Sequence, residues 1–292
     1  MSTGAEGPRE YHCVLPSNEL TSDLLYVASC VPEPAAAAFV TFLAHEGKRW
    51  VSLRNRRVMN IGGTVRSGGT IAEHIPPEAL SLVPFMVKNL GPCWDPNLVK
   101  TPAGVCPTPN HVLINEYTCD AAAGILGGIM PHEDGPLYCP VVAIFSLESA
   151  VPLKFTLKSG LLASDSQPQD LWIVAEPNSL LVFRGKFYSN YLHSVPTTSV
   201  DEVPVELCAN RNLMKKSTYF RPSKTPKVQK KSHVDSDEDI YDEPAPQLHE
   251  VAASVGTIDE SILVIERCPR RTSVTYRYVP GMLRSSSLLS RS

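Results

Sequence analysis

His132-Glu-Asp134 sets an imidazole and a carboxylate two residues apart. With one more histidine from elsewhere in the chain, this spacing can present two nitrogens and one oxygen to a single face of a metal ion. Such a facial set suits Fe(II) and leaves positions open for a co-substrate and oxygen. An H-x-D pair alone is a weak signal, and the chain holds a second, His233-Val-Asp235, with His249 downstream. Context separates the two. His132 and Asp134 follow the glycine-bearing stretch Gly124 to Gly128 and precede a β-like run opening at Val141, so a strand edge can hold them. His233 lies in a charged stretch with no strand pattern beside it, where nothing would pre-organise three ligands. His193, in Tyr191-Leu-His-Ser-Val195, is the one histidine between Asp134 and that stretch, and is the candidate third ligand. Glu133 should point away from the other two by strand alternation.

A second constellation is Arg271-Thr-Ser-Val-Thr-Tyr-Arg277. Period-two alternation puts Arg271, Ser273, Thr275 and Arg277 on one face of a strand. Paired arginines can hold a dicarboxylate, or can belong to a solvated strand face. Asn115-Glu-Tyr117 could add two neutral hydrogen bonds to the same ligand. A third group runs from Lys48 to Arg66, with six basic residues, no acid, and Trp50. Trp50, Arg54, Arg56 and Arg57 could track phosphates and stack a base, or form a solvated basic loop. The 8 cysteines contain no C-x-x-C pair, which disfavours structural zinc.

The elements that must position these residues follow from pattern. Pro34 to His45 reads as a helix with Phe39, Phe42 and Leu43 buried, and Pro77 to Leu90 as a second helix, kinked or shortened at Pro84. From Val112 the chain turns to short β-branched and aromatic runs: Val112 to Tyr117, Val141 to Leu147, Leu153 to Leu157, Leu171 to Val174, Ser179 to Phe183 and Tyr191 to Ser194. Their spacing predicts a sandwich or jelly roll, and no helices interleave them as a parallel α/β sheet would need. Residues 199–260 carry a basic block and then an acidic block with few large apolar residues, which predicts a disordered insert. Lys224 to Lys231 could serve nuclear import or partner binding there, or the insert could be a plain linker. Two more β-like runs follow, Ile262 to Ile265 and Ser273 to Tyr278. The 27 Lys+Arg against 30 Asp+Glu exclude a wholly basic binder, so any nucleic-acid contact must be regional. No apolar run approaches the roughly 18 residues of a membrane helix, and Met1 to Glu10 lacks a signal-like layout, so a soluble, unsecreted protein is expected.

The ordered combination of Asn115-x-Tyr117, His132-x-Asp134, His193 and Arg271-x5-Arg277 resembles the AlkB branch of the Fe(II)/2-oxoglutarate dioxygenases. Met130-Pro-His-Glu-Asp-Gly-Pro-Leu-Tyr138, Ala175-Glu-Pro-Asn-Ser-Leu-Leu-Val-Phe-Arg-Gly185 and His111-Val-Leu-Ile-Asn-Glu-Tyr117 are similar to a eukaryotic branch of that family. Arg49-Trp50 to Gly62-Gly63 and Ile75-Pro-Pro77 also fit. The likeness covers roughly residues 20–198 and 262–283. Two departures stand out: Thr118 to Ile129 is longer than the short Pro-Gly turn typical there, and the 62-residue insert separates the last two motifs; Ser273 also stands where some bacterial members have Asn.

The resemblance implies a mainly β double-stranded β-helix (jelly roll) with N-terminal helices and a lid. Residues 21–198 and 261–283 would form a single dioxygenase domain, with helices and substrate lid in 21–110 and the β-helix in 111–198 and 261–283. Residues 1–20 and 284–292 would be flexible ends. His132, Asp134 and His193 would hold Fe(II). Arg271 would pair with the distal carboxylate of 2-oxoglutarate, assisted by Asn115, Tyr117 and Arg277. O2 would then oxidise a C–H bond while 2-oxoglutarate yields succinate and CO2, and an N-methyl group so oxidised leaves as formaldehyde. The expected substrate is an alkylated, single-stranded nucleic acid, handled by a monomer in cytoplasm or nucleus without membrane attachment. A methylated protein side chain, or nucleic-acid binding without turnover, are the alternatives.

Overall fold

A computed structural model describes residues 23–66, 69–90, 109–164, 168–214, 219–222, 261–267, 269–280 and 282. Its centre is two facing β-sheets. The larger sheet has eight strands and, along its main path, runs Leu24–Val27, Ser179–Arg184, Val141–Leu147, Arg270–Arg277, His111–Asp120, Arg57–Ile61 and Val51–Ser52, with Ile125–Leu126 paired to the side of His111–Asp120. The smaller runs Asp170–Ala175, Val151–Leu157, Tyr191–Val195 and Ile129–His132. All pairings within these two sheets are antiparallel. The result is the expected jelly roll.

Alternation explains why the large sheet is buried on both sides. In Val141–Leu147, Val142 and Ile144 face the small sheet and meet Leu153, Phe155, Leu171 and Ile173. Ala143, Phe145 and Leu147 face outward and are covered by the helical residues Phe39, Leu43 and Met86 and by Leu82 in the turn before the helix of Met86. The same rule divides Arg270–Arg277: Val274 and Tyr276 join the helix-side core, while Arg271, Ser273, Thr275 and Arg277 line a cavity between the sheets.

The helix Glu33–His45 starts with Pro34 in its first turn and buries Ala36, Phe39 and Leu43, while Phe42 is only half-buried and meets the Phe39 ring edge-on. The second expected helix divides into a 3-10 turn, Pro77–Leu80, and a helix, Val83–Leu90. Pro84 therefore falls in a first turn, where its missing N–H has no intrahelical partner to lose, and it starts the helix instead of kinking it. Among the described residues no helix is long and apolar enough to cross a membrane.

The reading of 199–260 as wholly disordered needs correction. Val200–Pro204, Phe220–Pro222 and Ser261–Glu266 form a three-stranded sheet with Ser261–Glu266 in the middle. Its core, Val203, Cys208, Leu263 and Ile265, packs on Ala150 and Val174. Asn210 completes the docking: its Oδ1 accepts from the Val174 N–H at 3.0 Å and its Nδ2 donates to the Val174 carbonyl at 2.8 Å. One side-chain amide thus continues the ladder at the edge of the small sheet. Arg267 and Asp201 form a buried ion pair, with Nη2 also donating to the Pro196 carbonyl at 3.0 Å. Charge counts missed this order because the apolar contacts are sparse and made to strands distant in sequence. Residues 1–20, the control pair His233 and Asp235, His249, Lys224 to Lys231 and the tail 284–292 lie outside the described residues.

Candidate metal centre

His132 ends strand Ile129–His132, and its Cα partner across the small sheet is His193. That register sets the two rings 4.3 Å apart, centroid to centroid. Phe183 and Phe155 flank the His193 ring at 5.0 and 6.2 Å. Burial, opposed by Asp134, pushes the His193 pKa down to about 3. The imidazole therefore stays neutral at physiological pH with a lone pair to donate. His132 Nδ1 lies 2.9 Å from the Met130 carbonyl, which fixes the ring and leaves Nε2 free to ligate.

Asp134 completes the group: one donor atom from each of His132, Asp134 and His193 lies within 4.8 Å of the others. Arg277 Nη2 donates to Asp134 Oδ1 at 2.5 Å, while Oδ2 is buried with no hydrogen-bond partner. A buried carboxylate oxygen without a partner is costly. An ion held by Oδ2 and the two imidazoles would remove that cost, and the donor set suits Fe(II). The loop is clamped from outside: Lys158 pairs with Glu133, which points away from the site as alternation requires, and Tyr188 Oη donates to the Gly135 carbonyl at 3.1 Å.

The same cavity, about 320 Å³, has a second charged wall. Arg271 is 4% exposed; its Nη2 donates to Ser146 Oγ at 2.8 Å, it lies 5.1 Å from the Tyr117 ring, and its Nε has no partner. Among the described residues no carboxylate pairs with it. Burial pushes its pKa down only to about 10, so it remains a cation at neutral pH. An uncompensated buried guanidinium invites an anion.

No family model matches the chain. Over 153 residues the chain is 33% identical to the probable RNA/DNA demethylase ALKBH6 of Danio rerio, covering 50% of this chain and 57% of that protein. The match spans little more than half the length of that curated relative. The solved structure of OsALKBH1 aligns over 87% of this chain and 97% of its own, with 13% identity and a TM-score of 0.44.

The fold gathers His132, Asp134, His193, Asn115, Tyr117, Arg271, Arg277 and Arg56 around one cavity. It does not bring Trp50 and Arg57 there. Trp50 Nε1 donates to the Leu43 carbonyl at 3.4 Å, and Arg57 lies 4.3 Å above its ring while forming two 2.7 Å hydrogen bonds to Glu116. Both belong to the outer, helix-covered face of the large sheet, because Arg57 is paired in register with Glu116, an outward position of its strand. Arg54 is exposed at the hairpin tip. Arg277, expected as a co-substrate contact, lines the cavity, donates to Asp134 and lies 4.6 Å from the Tyr138 ring. Sequence reasoning missed Ser146 and Tyr138. Ser146 had a signal, as the one polar residue in the apolar run Val141–Leu147.

Proposed function

We propose that this chain is an Fe(II)/2-oxoglutarate-dependent dioxygenase that oxidatively demethylates alkylated nucleic acid. The observation that carries the reading is the juxtaposition, in one cavity, of the His132–Asp134–His193 group with its partnerless Oδ2 and of Arg271 with its partnerless Nε. A metal answers the first and a carboxylate the second. 2-Oxoglutarate has a carboxylate at one end and a keto acid that can chelate a metal at the other, so one molecule satisfies both.

When bound, Fe(II) and 2-oxoglutarate would supply oxidation of a C–H bond by O2, with release of succinate and CO2. The chain's own part is positioning. Arg277 holds Asp134 so that one carboxylate oxygen is committed and the other, without a hydrogen-bond partner, is left to ligate. Arg271, held by Ser146 and Tyr117, would neutralise a carboxylate of the co-substrate. Leu113, Ile144 and Leu153 make part of the wall apolar, which strengthens each charge interaction inside. At the rim, Leu53 is 44% exposed, offering apolar surface next to the basic Arg54 to a flipped base.

The substrate class is supported by the name borne by the zebrafish relative and by this basic and apolar rim. The test is succinate release from iron-loaded protein with methylated single-stranded oligonucleotides, with formaldehyde measured in parallel. Wild type should release both, and His132→Ala or Asp134→Ala neither. Equal, background-level succinate from all three would sink the enzyme reading. Turnover on methylated peptides alone would move the substrate to protein.

A further inference from the structure

Arg56 was expected to meet phosphate, yet the fold turns it inward. The hairpin tip Leu53–Arg56 is closed by the Leu53 N–H donating to the Arg56 carbonyl at 2.8 Å. It is fastened to the facing sheet by the Gly128 N–H donating to the Asn55 carbonyl at 3.1 Å. Gly128 is required at that contact: a Cβ there would stand 2.4 Å from Thr197 Oγ1 and 2.9 Å from the Val195 carbonyl. So anchored, the tip roofs the cavity, and Arg56 Nε donates to Asn115 Oδ1 at 2.9 Å. Asn115 is buried, and both residues line the cavity.

This bond decides how the amide faces. A guanidinium only donates, so the Asn115 oxygen must turn to Arg56, and the Nδ2 hydrogens form the other side of the amide. Asn115 stands on the same face of its strand as Tyr117, whose ring meets Arg271. We propose that Arg56 is a positioning residue for the co-substrate: it orients the Asn115 amide so that its N–H donors serve an oxygen of the bound dicarboxylate, and it ties the roof to that contact. The inference rests on the dioxygenase reading, since it needs 2-oxoglutarate in this cavity.

The test is calorimetric titration of 2-oxoglutarate into the Mn(II)-loaded full chain, with Mn(II) affinity measured separately. Arg56→Ala should weaken 2-oxoglutarate about tenfold and leave Mn(II) affinity unchanged. In an Asn115→Ala background the same change should cost nothing further, because Arg56 acts through that amide. Asn115→Asp keeps an oxygen for Arg56 but replaces the donors with an acceptor, and should weaken 2-oxoglutarate at least as much. Arg56→Gln, smaller in perturbation, should behave as Arg56→Ala, with melting temperatures checking the fold of each. Wild-type affinity in Arg56→Ala, additive losses in the double variant, or full binding by Asn115→Asp would each overturn the proposal. So would loss of oligonucleotide binding by Arg56→Ala with unchanged 2-oxoglutarate affinity, which would return Arg56 to a phosphate contact. If wild type itself fails to bind 2-oxoglutarate, the function reading falls first and this inference with it.

Discussion

Arg277 and Asp134 form a buried ion pair that divides one carboxylate between two tasks. Oδ1 accepts from Arg277 Nη2 at 2.5 Å, and Oδ2, buried beside no donor, accepts from nothing. The arginine thereby orients the metal ligand and prevents the carboxyl group from rotating away.

Breaking that pair should expose its worth. Removing one member of a buried ion pair leaves the other uncompensated and typically costs about 3–5 kcal/mol. Arg277→Met is expected to lower the stability of the metal-free protein by about 3 kcal/mol in urea unfolding. Added Mn(II) should recover part of the loss, because the ion then compensates the carboxylate. An unchanged unfolding midpoint would show that Asp134 has another partner.

Arg271 should behave in the opposite way. It is a buried cation with no carboxylate beside it, so Arg271→Met removes a desolvation cost along with the charge. The metal-free protein should melt at or above the wild-type temperature. 2-Oxoglutarate affinity should fall by at least about 30-fold, the equivalent of about 2 kcal/mol for a buried charged hydrogen-bonded pair. A clear loss of thermal stability would argue that Arg271 is structural.

Pro222 and Ser261 are Cα partners in adjacent antiparallel strands, although 38 residues separate them in the chain. Paired residues lie only about 5 Å apart, a gap that a short turn closes. Replacing 223–260 by a short Asn-Gly-containing turn should leave Mn(II) affinity and thermal unfolding unchanged. Asn210→Ala, which strips two buried hydrogen bonds from Val174, should cost about 2–3 kcal/mol. Equal midpoints for Asn210→Ala and wild type would show that water replaces the amide.

His111 should make the protein acid-sensitive. Its ring is buried against Tyr138, and neither ring nitrogen is within good hydrogen-bond geometry of a partner. Burial and then Arg277 push its pKa from the ordinary 6.5 to about 4, while the Gly63 backbone and Asp134 pull the other way. The folded pKa lies below the unfolded one, so the unfolded chain binds the proton first. This contribution is fully present above about pH 6.5 and is lost as pH falls towards 4. His193, also depressed, acts in the same sense. Between pH 7 and 5 the His111 contribution should fall by about 2 kcal/mol. His111→Leu should therefore show a shallower decline of urea-unfolding stability over that range, and parallel declines would refute the assignment.

Much of the site was legible in local pattern. H-x-D spacing, the position of His193 and the alternation in Arg271 to Arg277 depend on residue types and on the two-residue period of a strand, both readable along the chain. The ordered ends of the 199–260 segment were not. Cys208 and Asn210 gain their surroundings from Trp172 and Val174, more than 30 residues away in sequence. A window of charge counts cannot see that neighbour.

By itself, the sequence determined which residues could ligate, which face of each strand they share, and that short β runs dominate after Val112. The tertiary structure alone decided how like residues were divided. Arg271 went to a partnerless anion wall and Arg277 to Asp134, though they share one strand face, because six residues of strand span roughly 20 Å and meet different neighbours. Arg56 went into the cavity from the end of the hairpin tip and Arg57 to Glu116 from the first position of the strand, because neighbouring residues of extended chain point to opposite sides and the strand's register fixes which is which. Partnership is set by cross-strand neighbours, which exist only once the sheet has formed.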